Sequence, residues 1–465
     1  MEQLLGEVAL ERPQHASRLA KHVLAQLACM GSHTVTGLLS TCGDQFVDWS
    51  AHYRLYERER ADPQRLFDVV RSQVCALHQG PIVAALDDTR LRKSGRKVHG
   101  ARYTRDPMGP PFHVNFIRAQ RFLQTSAAIA GDDGQARMIP VDWVHAPAPP
   151  KPGRKATREE RAVYRDQWRL SRIGAVGAQR IAELRRWINE HDDPARRLWT
   201  VVDGSFCNSA VLKALPDNTT LVGRVRSDAK LYHLPDQQPA RGRRRVYGLR
   251  APTPEQVRQD DAFAWQDVEV FFGGKRRRLR AKRLGPVRWR PAGKEHDLQL
   301  IVIAPTSYRL CEHGTLLYRD PAYLLCTDPD APLHDVIQHY LWRWDIEANF
   351  RDEKTLLGVG DAQVRTPAAC QNVTAVAVAA YAMLLVAAER CQAQGTPVLH
   401  LPRPKWQRGT PRRATTMTLI QNLRNELWAQ SIHFSSFVSN TPSNTKPEKC
   451  TIPLDSAVLY QPVAE

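Results

Sequence analysis

Apolar residues recur at helical spacing in two stretches near the start of the chain, Ser17–Met30 and Pro63–Leu77, which predicts a helix over each. A polar stretch carrying Phe46, Trp49, Tyr53 and Tyr56 separates them, and Gly80-Pro81 ends the pattern. The period then changes. Ile82–Leu86 is a continuous apolar run that stops at Asp87, Asp88 and Thr89; it is too short for a helix and predicts a buried strand. Residues 90–111 are basic and rich in Gly and Pro, as a loop would be. Val114–Ile129 and Met138–Val144 predict two more strands, paired around a turn at Gly131–Gly134. Thr157–Ile188 predicts one long helix, with Glu159 and Glu160 early in it, where the helix dipole favours acids. Leu198–Val202 predicts another strand, ending at Asp203 and Gly204; a helix over 208–215 and a strand over 220–225 follow.

Residues 226–320 differ in character. Trp265–Phe272 and Leu298–Ala304 look like strands, turns are frequent, and no helix signal is strong. Two basic runs, Arg241–Arg245 and Lys275–Arg278, read either as a solvated charged face or as a patch that contacts phosphates. A helix is expected over Tyr340–Lys354. Val373–Ala388 carries no charge, but it is Ala-rich and short for a membrane span, so it reads as a buried core helix. Arg403–Arg413 reads as a basic, Pro-rich linker, Met417–Ala429 as a short helix, and the chain from Ser435 as a polar, loosely ordered tail. This organisation predicts an N-terminal helical domain (1–80) and an α/β core in two parts (81–225 and 331–400). A mostly β, basic insertion (226–330) separates them, and the tail (401–465) closes the chain.

Length agrees with more than one domain: 465 residues exceed what one ordinary core organises. Charge narrows the partner. Lys and Arg number 66 against 48 for Asp and Glu, a net charge of +18. The basic residues are spread over several segments and not confined to one amphipathic helix, which favours nucleic acid over a membrane surface. Nine cysteines, an odd number with no C-x2-C pair, predict reduced thiols of a cytoplasm and no structural zinc. Glu2 and Glu7 interrupt any apolar start, so no leader peptide is expected.

The expected helix at 340–354 holds the most specific pattern. Tyr340, Arg343, Glu347 and Lys354 fall within an arc of roughly 60° on an ideal helix. A phenol, a guanidinium, a carboxylate and an ammonium then share one face beside Leu341, Trp342, Trp344, Ile346 and Phe350. The spacing Y-x2-R-x3-E-x6-K resembles that of DDE transposases of bacterial insertion sequences, in the cut-and-paste group related to the fourth-described insertion sequence. Taken with the element order, the resemblance implies a ribonuclease-H-like catalytic core, which sets acidic side chains at the ends of neighbouring strands.

Phosphodiester cleavage and transfer need an activated oxygen nucleophile, an in-line leaving group and positive charge around the phosphorus. Two Mg²⁺ ions held by carboxylates supply that charge, with Mn²⁺ able to substitute. The resemblance points to three acids: Asp88, which precedes Thr89; Asp203, which follows an apolar strand; and Glu347 of the signature. Asp87 and Asp88 would point to opposite faces if the strand continues, so only one can serve; Asp87 is expected to face solvent or anchor a loop. Asp352 and Glu353 are expected to be surface acids. The resemblance assigns Tyr340, Arg343 and Lys354 to DNA phosphates near the cleaved end, which suits a donor phenol, a guanidinium fork and a point charge. Lys93–Lys97 and His99 are weaker candidates for DNA contact, and Trp289, between Arg288 and Arg290, is a candidate for base stacking.

The reading implied is a transposase that cuts double-stranded DNA at terminal inverted repeats and joins the freed 3′-hydroxyls to target DNA. A homodimer would hold both ends. The rivals are a transposase-derived protein that binds DNA without cutting it and a ribonuclease-H-like nuclease that cuts without joining.

Overall fold

The computed structural model describes residues 1–428 except 59, 107, 111, 132, 237–241, 294–295, 312 and 396–412. Most of the linker expected at Arg403–Arg413, the tail from Ser435 and the first residue of the Arg241–Arg245 run therefore lie outside the described residues.

Five helices open the chain: α1 (Glu2–Gly6), α2 (Pro13–Ala28), α3 (Val35–Cys42), α4 (Trp49–Glu57) and α5 (Pro63–Leu77). α2 and α5 each begin with Pro, whose fixed φ suits a first helical turn. α3 begins at Thr34, whose hydroxyl accepts from the Gly37 amide at 3.1 Å. The aromatic stretch between the two expected helices forms α4. It buries Tyr56, whose hydroxyl bonds His22 of α2 at 2.6 Å.

The sheet begins with β1 (Ile82–Arg92), β2 (Arg102–Arg105), β3 (Phe116–Ala130) and β4 (Ala136–His145). Then come α6 (Arg158–Leu170), α7 (Ile173–His191), β5 (Leu198–Val202), α8 (Ser209–Leu212) and β6 (Thr219–Arg224). β4, β3 and β1 pair antiparallel, and β1, β5 and β6 run parallel. Three antiparallel strands beside two parallel ones, joined by helical crossovers, make the α/β ribonuclease-H-like core that was expected.

The segment after β6 adds β7 (Leu231–His233), α9 (Pro254–Gln259), β8 (Gln266–Phe272), β9 (Lys275–Trp289) and β10 (Leu298–Ile303). β11 (Thr306–Tyr308), β12 (Leu317–Arg319) and β13 (Ala322–Cys326) follow. β13 pairs with β6, β10 with β13 and β9 with β10, so these strands continue the central sheet. The final helices are α10 (Leu333–Trp342), α11 (Asp345–Thr355), α12 (Pro367–Ala393) and α13 (Thr416–Trp428).

One sheet face is covered by α7 and α8, which pack on Leu86 and Val202. The other is covered by α5 and α10–α12, packed on Val83, Ala85 and Val201. α12 is long and apolar enough to cross a membrane, yet 94% of its apolar window is buried inside the protein. It is a core helix, held also by the Trp143 indole donating to the Thr374 hydroxyl at 3.0 Å.

Several elements differ from expectation, among them β2, a short strand inside the expected loop 90–111. β1 runs on to Arg92, because β3 pairs with it as far as Arg92–Ala119. The helix expected over 157–188 breaks at Ser171 into α6 and α7. α9 forms where no helix signal was strong; Thr253 and Gln256 cap its start reciprocally.

Met383 of α12 is fully buried. Met383→Ala should cost about 2–5 kcal/mol and lower the thermal unfolding midpoint; an unchanged midpoint would mean that α12 is not a core helix.

Candidate active site

The last registered pair between the parallel strands β1 and β5 is Leu86–Val202. The next residues along are Asp87 and Asp203. Side chains alternate along a strand, so Asp87 follows Ala85 and Asp203 follows Val201 onto the face covered by α10–α12. Asp88 follows Leu86 onto the reverse face, where its carboxylate is paired with the Arg90 guanidinium. The two neighbours thus separate as strand geometry requires, but Asp87 is the one beside Asp203.

The helix expected over 340–354 is two helices. The Arg343 amide bonds the Tyr340 carbonyl at 3.2 Å, Trp344 bonds Leu341 at 3.3 Å, Ile346 bonds Arg343 at 3.1 Å and Glu347 bonds Trp344 at 3.1 Å. These are i→i−3 bonds, tighter than α-helical ones, and they turn the chain between α10 and α11. The turn carries the Arg343 guanidinium between strand and helix. Nη1 lies 3.2 Å from Asp87 Oδ2 and Nη2 lies 3.5 Å from Glu347 Oε1. The Tyr340 ring centre is 5.7 Å from the guanidinium carbon. Asp203 is oriented by its own loop: Oδ1 accepts from the Ser205 amide at 2.9 Å and the Phe206 amide at 3.3 Å, and Oδ2 from the Ser205 hydroxyl at 3.1 Å.

The electrostatics follow from this crowding. Burial, and then the Asp203 charge, push the Asp87 carboxyl up to about 7, although Arg343 opposes the shift. Burial alone would lower the pKa of Arg343; the charges of Tyr340, Asp87, Glu347 and Asp203 together raise it. Burial raises the Tyr340 phenol, against the pull of Arg343. Four of the six expected site residues (Asp203, Tyr340, Arg343 and Glu347) therefore meet around one guanidinium. Lys354 does not join them. It is exposed two turns further along α11, where the charges acting on it are those of Glu353, Arg90 and Arg92.

The donor set is chemically suited to a hard divalent cation: Asp87, Asp203 and Glu347 offer carboxylate oxygens around a locus that attracts protons. Among the described residues, no three Asp, Glu, His or Cys side chains already lie together as a metal-holding group. Arg343 supplies the positive charge between Asp87 and Glu347.

The family model of the DDE superfamily endonucleases matches residues 8–295. The chain belongs to the DDE superfamily endonucleases. No curated protein matches it. The matched region of this DDE endonuclease includes β1 and β5, which deliver Asp87 and Asp203, and ends before α10 and α11. Membership makes the protein a transposase- or nuclease-type enzyme whose substrate is DNA.

Other candidate residues of this endonuclease are placed differently from expectation. Lys93 is buried and its ammonium donates to the carbonyls of Gly360 and Ala362 at 2.6 and 2.7 Å, so it ties two loops together. His99 packs its ring against His145. Trp289 is half-buried in β9 against the α7-side core. Glu353, expected on the surface, is 1% exposed. The Asp352 side chain is largely covered and accepts from the Thr416 hydroxyl at 2.6 Å. Asp87 is the residue that sequence reasoning set aside. One signal could have found it: the acid following each five-residue apolar run, Ile82–Leu86 and Leu198–Val202, is Asp87 in one and Asp203 in the other.

Burial pushes the Glu353 carboxyl from 4.5 up to about 8, against a hydrogen bond with Gln124. A raised folded pKa stabilises the protein fully below the unfolded value, and that contribution is lost as pH rises through the folded one. Thermal midpoints measured from about pH 5 to about pH 9 should therefore fall less in Glu353→Gln than in the native chain. Parallel curves would show that the carboxyl titrates normally.

Proposed function

We propose that this DDE endonuclease is a cut-and-paste DNA transposase of the insertion-sequence-four-like group, with Asp87, Asp203 and Glu347 as its catalytic acids. The observation that supports this best is the Arg343 guanidinium lying between Asp87 and Glu347 beside Asp203. Carboxylates on both sides of one guanidinium, with a third next to Asp87, suit phosphodiester chemistry, which depends mainly on positioning and charge. Divalent cations, Mg²⁺ foremost, would be held by these three acids and would neutralise charge at the attacking and leaving oxygens.

The chain's own groups take the other roles. The loop donors on Asp203 fix its carboxylate before substrate arrives. Tyr340 and Arg343 line the same site and offer donors to non-bridging phosphate oxygens. Lys354, with Arg90 and Arg92, forms a second basic group, which contacts the DNA backbone away from the cleaved bond. The N-terminal helices and the basic β9 hairpin supply further DNA contacts, and a homodimer holds the two element ends. A DNA-binding relic of a transposase would not need three acids and an arginine kept in one constellation, which weighs against that rival.

The test is a strand-transfer assay with linear DNA carrying the element's ends, Mg²⁺ and a target plasmid. Joined products are expected. Nicked ends without joining would favour a plain nuclease, and binding without cleavage would favour a regulator. Asp87→Asn, Asp203→Asn and Glu347→Gln should each lower cleavage by at least about 100-fold while DNA binding in Ca²⁺ persists. Asp88→Asn should retain most activity. Loss of cleavage in Asp88→Asn with retention in Asp87→Asn would return the first position to Asp88.

A further inference from the structure

Helix α6 buries no residue, and Val163, Trp168 and Leu170 on it are 56%, 42% and 68% exposed. A helix without a core-facing stripe gains little from packing, so its persistence rests on local devices. Those are present: Thr157 and Glu160 form a capping box, and Asp166 lies 3.8 Å from Arg169.

Its charges are ordered. Arg158, Arg161, Arg165 and Arg169 recur at steps of three and four and fall within an arc of roughly 80° along a stripe about 16 Å long. Arg161 is tied back to the carbonyls of Ala156 and Arg154. Arg158 and Arg165 are exposed. Trp168 flanks the stripe, with the Arg172 guanidinium 3.8 Å over its ring centre. Residues 151–172 hold eight basic side chains and three acidic ones.

The root of this helix is fixed next to the strands of the acid site. Arg121 donates to the Ser171 carbonyl at the α6–α7 break at 2.8 Å and to the Ala146 carbonyl at 3.0 Å. Arg121 is the cross-strand neighbour of Arg90 on β1, two residues beyond Asp88. An arginine stripe thus projects into solvent beside β1, rooted on the sheet face that carries Asp88 and Arg90, the reverse of the face that carries Asp87.

We propose that α6 is an arm that grips the phosphate backbone of duplex DNA alongside the segment presented to Asp87, Asp203 and Glu347. The assignment rests on the DNA-cutting reading above. The stripe offers guanidinium groups at regular intervals to a partner with one negative charge per ~1.7 Å of axis. Its contacts are with phosphates, so the arm adds affinity without base preference.

The experiment measures dissociation constants for a fluorescent random-sequence duplex over a salt series, in Ca²⁺ and without Mg²⁺. The chains compared are the native one, R158Q/R165Q/R169Q, R158K/R165K/R169K and V163S/L170S, with unchanged far-ultraviolet circular dichroism required of each. The glutamine variant should bind more weakly, and its slope of log affinity against log salt should be shallower by about three. The lysine variant should recover most of that slope. Native affinity and slope in the glutamine variant would overturn the proposal. So would a loss of binding confined to V163S/L170S, which would make the apolar side chains of α6, and not its arginines, the DNA contact. Cleavage in Mg²⁺ is scored separately: a native chain that never cuts, but whose salt slope depends on the three arginines, sinks the nuclease reading and leaves the arm standing.

Discussion

The site depends on the register in which β1 and β5 lie side by side. Leu86 against Val202 is an apolar pair locked by the core beneath α7, and it forces the next residue of each strand to the opposite face. Two carboxylates are thereby set next to each other at the edge of a buried sheet, an arrangement that water alone would not favour. The cost appears as the raised proton affinity of Asp87 and is partly offset by Arg343. The turn between α10 and α11 belongs to the same site: its tighter bonds around Trp344 lie between Arg343, at the end of α10, and Glu347, in the first turn of α11.

Much of the fold was legible because its boundaries are chemically sharp. α5 and β5 begin and end where the sequence predicts, since Pro63 starts one and Asp203 stops the other. The breaks were not legible. No Gly or Pro stands at Arg343 and Trp344, and near Ser171 only Gly174 and Gly177, both inside α7, weaken the helical pattern, so little announces that either helix stops. The extension of β1 to Arg92 is imposed by β3, a partner from another part of the chain. α9 could have been read from Thr253 and Gln256.

For the site, the grouping of Asp203, Tyr340, Arg343 and Glu347 was legible, and the placement of Asp87 beside them was not. A shift of a single residue along a strand moves a side chain to the other face of the sheet. The choice between Asp87 and Asp88 therefore rested on where β1 aligns with β5, for which the acid that ends each strand's apolar run was the one local signal. Lys354 was grouped with the others by assuming one unbroken helix. With α11 starting anew at Asp345, it belongs with Arg90 and Arg92.

The burial of α12 ties the N-terminal helices to the catalytic sheet. Its 27 residues are clasped by α2, α4 and α5 on one side and by β4 of the catalytic sheet on the other. Asn372 even donates to the Tyr56 carbonyl, joining it to the end of α4. The N-terminal helices therefore form one wall of the hydrophobic interior, and removing them would leave α12 open to water. They are thus part of the scaffold that holds the sheet.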